Sequence, residues 1–322
     1  MDYVTGLPQI TYLEKPKLLY FADAFVRSIS CITPVQEGVM GLSGNGVLLA
    51  CIDSGVDYAH PDFCAPDGTS RIAILWDQTI PGNPPMGYAL GSVYTRQQIN
   101  EALASSTPEE RFALVPSRDV TGHGTAVLGI AAGNGRSSAD AAMRGVAPEA
   151  TLVVVKLGNP DPADLPRTSQ LLQAVDFCVR YALLVERPLV TNLSFGNNYG
   201  SHSGDSLLET YLNAVSNLGQ NVICIGAGNE GDTGRHYAGN LKSDRKSSGQ
   251  TQTVRATSDP AATSAVSATA DRAVSVEFQV GAYESSFSLQ IWKVMGMKSR
   301  STDFPRRHSA PARSLLSSAR RV

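Results

Sequence analysis

Three polar residues of this sequence stand where a protein can place acid–base chemistry. Asp53 and Asn229 each follow a continuous apolar run, and His123 lies between two glycines at the start of a run with helical spacing. An accessible imidazole can act as a general base near neutral pH, a carboxylate can orient it, and an amide N–H can stabilise a developing oxyanion. Each residue alone could equally be a turn or helix-capping residue. Their combination therefore carries the argument.

These residues need a scaffold, and the apolar pattern supplies one. Four apolar runs predict strands, the first two of them buried within a sheet. They span residues 46–52, 151–156, 189–195 and 221–225. Three segments with helical spacing begin at His123, Ser169 and Asp205, the last residue being the expected N-cap. This alternation predicts an α/β fold, a doubly wound and mostly parallel sheet whose strand ends gather functional groups.

Two regions depart from this alternation. Residues 64–118 contain six prolines around a strand-like segment at 71–77 and a helical piece near 97–105, and we interpret them as a long surface excursion. Residues 234–296 become β-rich, with alternating patterns at 274–280 and 287–292. Residues 297–322 are basic and without periodicity, which indicates a disordered tail or a shifted reading frame rather than a nucleic-acid-binding segment.

Composition narrows the class of protein. The 322 residues are 42% hydrophobic and 17% charged with a net charge of −2, typical of a globular protein with a sizeable core and no general affinity for nucleic acid or anionic membranes. No apolar run is long enough to cross a membrane, and the N-terminus lacks a secretory signal pattern. We therefore expect a cytoplasmic location. The five cysteines form no C-x-x-C pair, and Cys51, Cys178 and Cys224 are expected to be buried and reduced.

The motifs resemble those of the subtilisin-like serine protease family (S8), whose triad also runs Asp before His along the chain. The resemblance rests on 53–56 (Asp-Ser-Gly-Val), on 122–129 around His123, on 192–196 (Asn-Leu-Ser-Phe-Gly) and on 226–229 (Gly-Ala-Gly-Asn). It implies that Asp53 and His123 are catalytic and that Asn229 is the oxyanion donor. It also implies substrate-binding roles for two segments. Their residues are Ser194, Phe195, Gly196, Gly226, Ala227 and Gly228.

A finer resemblance is to the clostridial spore-germination (Csp) protease group. It rests on segments 4–17, 74–79 and 116–119. It implies that residues 1–33 end a propeptide, that 34–233 form an incomplete peptidase domain, and that 234–296 begin a jelly-roll-like insertion. The family implies a polypeptide substrate, and the Csp resemblance implies a spore-associated location as the alternative to a cytoplasmic one. Calcium is possible by resemblance alone, and we expect no other cofactor.

The nucleophile of this family lies in a Gly-Thr-Ser motif after the asparagine, and the sequence contains no such motif there. Gly68-Thr69-Ser70 precedes the histidine, and Thr263-Ser264-Ala265 follows an alanine and begins no apolar helix. We therefore expect a C-terminally truncated serine endopeptidase that is inactive as written. The alternative is a pseudoprotease that binds peptides or regulates another protein.

Two other functions fit the sequence less well. Asp57, His60 and Asp62 could form a metal cluster, but Pro61 and turn-like spacing favour a plain loop, so no metal site is expected. The glycine-rich segment 41–46 precedes a strand instead of joining a strand to a helix, which argues against nucleotide binding.

A shifted reading frame has a direct test. We expect the nucleotide sequence beyond codon 296 to encode a Gly-Thr-Ser motif in another frame. Sequencing of the downstream DNA checks this, and a downstream region without the motif in any frame would contradict the frameshift interpretation.

Overall fold

The structure is a computed structural model, and it describes residues 27, 29–141, 143–158, 166–197 and 202–229, with three short strands between 252 and 276. The chain divides into two compact units. The first comprises residues 1–193 and 218–224, and the second comprises 194–217 and 225–322. The predictions for residues 1–26 of the propeptide-like segment, for the pattern at 287–292 and for the basic tail lie outside the described residues.

A six-stranded sheet organises the first unit. Its strands are Leu48–Asp53 (β1), Ile72–Asp77 (β2), Ser92–Thr95 (β3), Thr151–Lys156 (β4), Leu189–Leu193 (β5) and Asn221–Ile225 (β6). The spatial order is β3-β2-β4-β1-β5-β6. The pairs β2–β4, β4–β1 and β1–β5 are parallel, and β3 runs antiparallel to β2. The predicted α/β fold with a mostly parallel sheet is confirmed.

The register aligns three polar strand ends at one edge of this sheet. Asp53 of β1 pairs with Lys156 of β4, and Lys156 pairs with Asp77 of β2. All three residues are buried, although each ends a strand of mainly apolar residues. Buried charged groups need hydrogen-bond partners. This edge is therefore where polar contacts must concentrate.

Three features of residues 64–118 differ from the sequence interpretation, the first being the unpredicted strand β3 at one end of the sheet. Segment 72–77 is a strand inside the sheet, not part of a surface excursion, and Ile72, Leu75 and Trp76 are fully buried. The surrounding prolines lie in its connections, where they do not interrupt the ladder. The helix Pro108–Leu114 was not predicted, although a Thr107–Glu110 capping box starts it.

The helices lie largely where the periodicity predicts them. In chain order they are Ile32–Glu37 (α1), Arg96–Leu103 (α2), Pro108–Leu114 (α3), His123–Ala132 (α4), Thr168–Leu184 (α5) and Leu207–Ser216 (α6). The N-cap of α6 is Ser206, which accepts a hydrogen bond from the Glu209 amide, so the expected cap at Asp205 was wrong by one residue. Among the described residues, no helix combines the length and apolar character needed to cross a bilayer.

The second unit contains an antiparallel three-stranded sheet. Its strands are Gln252–Val254 (β7), Ser264–Thr269 (β8) and Ala273–Val276 (β9), in the order β7-β8-β9. Strand β9 overlaps the predicted strand at 274–280. Strands β7 and β8 lie in a Ser- and Thr-rich stretch for which the residue pattern predicts no individual strand. The jelly-roll-like insertion stays a prediction.

The burial of each cysteine depends on where it lies relative to the sheet. Cys51 in β1 and Cys178 in α5 are buried, as expected, and burial raises the pKa of both thiols. Cys224 is exposed, so the expectation that it is buried was wrong. It lies in β6, the terminal strand of the sheet, where an apolar run does not guarantee cover on both faces.

Helix α4 packs against the carboxyl end of β1 at one glycine. A Cβ atom on Gly124 would overlap the carbonyl oxygen of Gly55 and would lie 3.2 Å from the Cβ of Asp53. Gly129, further along the same helix, has no such neighbour within 4 Å. Of these two helical glycines, only Gly124 is therefore required for the close approach.

This contrast gives a matched pair of substitutions. Gly124→Ala is expected to lower the free energy of unfolding by at least about 2 kcal/mol, because backbone must move to admit the methyl group. Gly129→Ala is expected to raise it by about 0.5–1 kcal/mol, because alanine loses less backbone entropy in a helix. Urea unfolding of both variants measures the difference, and equal stabilities would contradict the close approach.

Candidate active site

Asp53 and His123 form a hydrogen-bonded pair. Asp53 is the last residue of β1, His123 is the first residue of α4, and the Nδ1 atom of His123 lies 2.6 Å from Oδ1 of Asp53. The Asp53 side chain is 3% exposed and the His123 side chain 54% exposed. Because an ionised carboxylate only accepts hydrogen bonds, a neutral imidazole in this pair carries its proton on Nδ1. Its Nε2 lone pair is then free to take up a proton, which is the role of a general base.

The turn before α4 explains the glycine that precedes the histidine. Gly122 is the N-cap of α4 and has φ 74°, in the left-handed region that favours glycine. It makes no side-chain cap, so the first amides of the helix need acceptors from elsewhere. The turn thus delivers His123 to the carboxylate while leaving the helix start open to other partners.

The carboxylate of Asp119 provides those acceptors. Its Oδ2 accepts hydrogen bonds from the amide (2.8 Å) and the hydroxyl (2.7 Å) of Thr125, and its Oδ1 accepts from the Gly122 amide (3.0 Å). Oδ1 also accepts from the hydroxyls of Ser54 (2.8 Å) and Thr121 (3.1 Å). A negative charge here is favoured by the helix dipole. Asp119 therefore caps the helix that carries His123.

The ionisation of Asp119 follows from these contacts. Partial burial by itself raises the pKa of this carboxyl group, but the hydrogen bonds from Thr125, Ser54 and Thr121 outweigh it and hold the pKa below its ordinary value. A carboxyl group whose pKa is lower in the folded state contributes stability above its unfolded pKa and loses it as the pH falls through the folded pKa. Asp119 is thus ionised at neutral pH.

The two residues before Asp119 are tied to the strand ends. The Ser117 hydroxyl donates to Oδ2 of Asp77 at 2.6 Å, and the Lys156 ammonium donates to the Arg118 carbonyl oxygen at 2.6 Å. These partners end β2 and β4, the two strands next to β1 on one side. Segment 117–119 is therefore attached to three neighbouring parallel strands, the third attachment being Asp119 to Ser54 after β1.

The other predicted site residues belong to the second unit. Ser194, Phe195 and Gly196 follow the end of β5 at Leu193, so the predicted strand to Phe195 was two residues too long. Gly226, Ala227, Gly228 and Asn229 follow β6 and are exposed, and Gly228 has φ 89°. Their roles in substrate binding and oxyanion stabilisation stay predictions.

Ser70 and Ser264 are the serines of the two segments that partly match the nucleophile motif, and neither lies at the start of a helix. Ser70 is 3% exposed, and its hydroxyl oxygen accepts a hydrogen bond from the Ile72 amide at the start of β2. Ser264 begins the antiparallel strand β8 rather than a helix. A serine nucleophile needs its hydroxyl within hydrogen-bond reach of the base. No contact between Ser70 and His123 is observed in the described part of the chain.

The alternative metal cluster forms local contacts instead. The Nδ1 atom of His60 accepts from the Asp62 amide at 3.3 Å, and Oδ1 of Asp62 accepts from the Ser137 amide at 2.7 Å. The carboxylate of Asp57 accepts from the Ala59 amide. Within the described ranges, no three His, Cys, Asp or Glu side chains are grouped so that they could hold a metal ion.

Sequence reasoning missed three residues of this site: Ser54, Asp119 and Lys156. Asp119 carried a usable signal, since an acidic residue just before a helix, with threonines nearby, is typical of an N-terminal cap. Ser54 lies inside the aspartate motif and had no separate pattern. Lys156 is the last residue of a buried strand. From the sequence, a lysine at this position could equally have been exposed to solvent.

Known proteins of similar sequence include bacterial subtilisins and serine proteases. Subtilisin E of Bacillus subtilis strain 168 is 26% identical over 228 residues, which cover 70% of this chain and 46% of the relative. The major intracellular serine protease of Bacillus subtilis is 28% identical over 205 residues, covering 63% and 49%. The chain thus spans about half the length of the curated relatives it matches.

A solved structure supports the finer relation. The CspB protease of Clostridium perfringens is 34% identical and superposes with a TM-score of 0.58, covering 65% of this chain and 42% of that one. A sequence profile of the subtilase family, peptidase S8, matches residues 44–310. Because this match covers most of the sequence, the chain belongs to the subtilase family of serine-type peptidases and is related within it to the Csp proteases.

Proposed function

We propose that residues 1–322 carry the aspartate–histidine half of a serine endopeptidase site and that this polypeptide by itself does not hydrolyse peptides. The observation that carries the proposal is the 2.6 Å contact between Asp53 and His123 at the carboxyl edge of the sheet. The subtilase family profile supports peptide-bond hydrolysis as the ancestral reaction. A polypeptide is the proposed substrate, and the Csp resemblance supports a spore-associated location.

In the intact reaction each residue has a separate task. Asp53 holds the imidazole so that Nε2 faces outward, and Nε2 of His123 accepts the proton of a serine hydroxyl during attack on the scissile carbonyl. The protonated imidazole then returns the proton to the leaving amine. Asn229 is the proposed donor to the tetrahedral oxyanion, the role that an asparagine side chain has in subtilisin.

The missing component is the hydroxyl. No Gly-Thr-Ser motif follows Asn229 in the 322 residues, and the settings of Ser70 and Ser264 do not suit the role. In subtilisin, removal of the triad serine alone lowers kcat about 2 × 10⁶-fold, nearly as much as removal of the whole triad. A base and its carboxylate without a nucleophile are therefore expected to give almost no turnover.

Peptide hydrolysis by the purified polypeptide tests this directly. We expect no cleavage of a fluorogenic peptide library above the rate of a His123→Ala variant, measured beside subtilisin as the positive control. Cleavage that disappears in His123→Ala would overturn the proposal, and its loss in Ser264→Ala as well would identify Ser264 as the nucleophile. Cleavage that persists in His123→Ala comes from another protease.

A polypeptide extended through an in-frame Gly-Thr-Ser motif tests the ancestral reaction. If downstream DNA encodes that motif, the extended chain is expected to cleave peptides, and Asp53→Asn is expected to lower its kcat by about 10⁴-fold, because the wrong imidazole tautomer is then favoured. An active extended chain whose kcat is unchanged in Asp53→Asn would contradict the assigned role of the pair.

Peptide binding without turnover is a second candidate function. It is favoured by the same lack of a nucleophile, and by Gly196, which is exposed and where a Cβ atom would meet no neighbour within 4 Å. An extended peptide could approach the backbone of segment 194–196 there by strand addition. Such a role would make the chain a pseudoprotease.

Isothermal titration with an extended peptide separates the two functions. A pseudoprotease is expected to bind the peptide and leave it intact, with affinity reduced at least about tenfold in Gly196→Val because the side chain blocks the backbone. Gly129→Val serves as the control, because Gly129 also has no neighbour within 4 Å of an added Cβ and lies in α4, away from segment 194–196. Absence of binding by the parent chain would remove this second candidate.

A further inference from the structure

We propose that Asp119 is a positioning residue for His123, acting through Ser54 and the first turn of α4. The proposal rests on the proposed function, since it concerns the Asp53–His123 pair of that site. Asp119 makes no direct contact with the imidazole ring in the described structure, so it is not itself a catalytic residue.

Asp119 holds the first turn of α4 in place. Four donors of the turn 121–125 converge on the carboxylate of Asp119: the Gly122 amide, the Thr125 amide and the hydroxyls of Thr121 and Thr125. His123 lies between these donors in the chain. Its Cα position is therefore fixed from both sides by one carboxylate.

Ser54 joins the start of α4 to the carboxylate of Asp53. Its amide donates to Oδ1 of Asp53 at 2.7 Å, the same oxygen that His123 contacts. Its hydroxyl oxygen accepts from the Gly124 amide at 2.9 Å. One residue thus holds the orientation of the Asp53 side chain and the start of α4 at the same time.

Asp119 decides how Ser54 is oriented. A serine hydroxyl has one proton, and here it is donated to Oδ1 of Asp119 at 2.8 Å. A lone pair of the hydroxyl oxygen then faces the Gly124 amide. Without the carboxylate, the hydroxyl could rotate and its bond to Gly124 would lose its fixed geometry.

The role of residue 119 requires a carboxylate as well as a side chain of the right length. A carboxylate presents acceptors on both oxygens, which suits the donors on its two sides. Asparagine keeps one acceptor but turns an amide N–H₂ group toward the other set of donors, which leaves one side unsatisfied. We therefore expect Asp119→Asn to have an intermediate effect and Asp119→Ala a full one.

The imidazole tautomer of His123 is the readout that a merely structural role would not change. The full chain is labelled with ¹⁵N-histidine, and its five histidines are separated by comparison with His123→Gln. Long-range ¹H–¹⁵N spectra at neutral pH then give the ratio of Nδ1-protonated to Nε2-protonated imidazole. The parent chain is expected to hold His123 almost entirely in the Nδ1-protonated form.

The variants are expected to change the tautomer ratio of His123 by different amounts. Asp119→Ala is expected to lower the tautomer ratio at least about fivefold, Asp119→Asn less, and Ser54→Ala in the Asp119→Ala background no further, because both act along one path. Asp67→Asn is the matched control. Asp67 also accepts hydrogen bonds from a threonine amide and hydroxyl, but its partner Thr69 lies in a loop away from α4.

The outcomes separate the two proposals. An unchanged ratio in a folded Asp119→Ala or Asp119→Asn variant, beside a parent with the Nδ1 tautomer, would overturn the positioning role alone. A parent chain without that tautomer would contradict the Asp53–His123 pair and thus the proposed function, and the positioning role with it. If Asp119→Ala does not fold, the folded Asp119→Asn variant decides the matter.

Discussion

The site depends on how closely the first turn of α4 approaches the end of β1. Gly124 allows that approach because any side chain would overlap the Gly55 carbonyl oxygen. The Asp53–His123 hydrogen bond is only as short as this backbone contact permits. A structure that positions a base in this way uses packing of the main chain, not only side-chain choice, to set catalytic geometry.

Both ends of α4 are neutralised by side chains of opposite charge. Asp119 binds the amides at the start, and the Arg71 guanidinium donates to the carbonyl oxygens of Ala132 at the helix end and of Asp62 and Ala150 nearby. Burial lowers the pKa of Arg71 to about 10, so the group is still charged at neutral pH. An anion at the N-terminus and a cation at the C-terminus both complement the helix dipole.

The parallel sheet explains why so many polar contacts meet at one place. Neighbouring parallel strands end at the same edge, so Asp77, Lys156 and Asp53 come together although they are far apart in the chain. Each then binds a different part of the segment that leads to His123 or the histidine itself. The apolar strands thus supply rigidity, and their last residues supply the chemistry.

The sequence alone determined those features that are encoded by residues close together in the chain. The apolar runs and the helical spacing after His123 sufficed to predict the sheet and the helix, and the resemblance of the motifs to those of the subtilases implied the Asp53–His123 pair. The segment at 71–77 was recognised as strand-like but assigned to a surface excursion, because nearby prolines indicate loops and its burial comes from strands distant in the chain. Only the tertiary structure placed Ser54, Asp119 and Lys156 in the site. Their contacts join residues 38 to 70 positions apart, and no local pattern encodes such a distance.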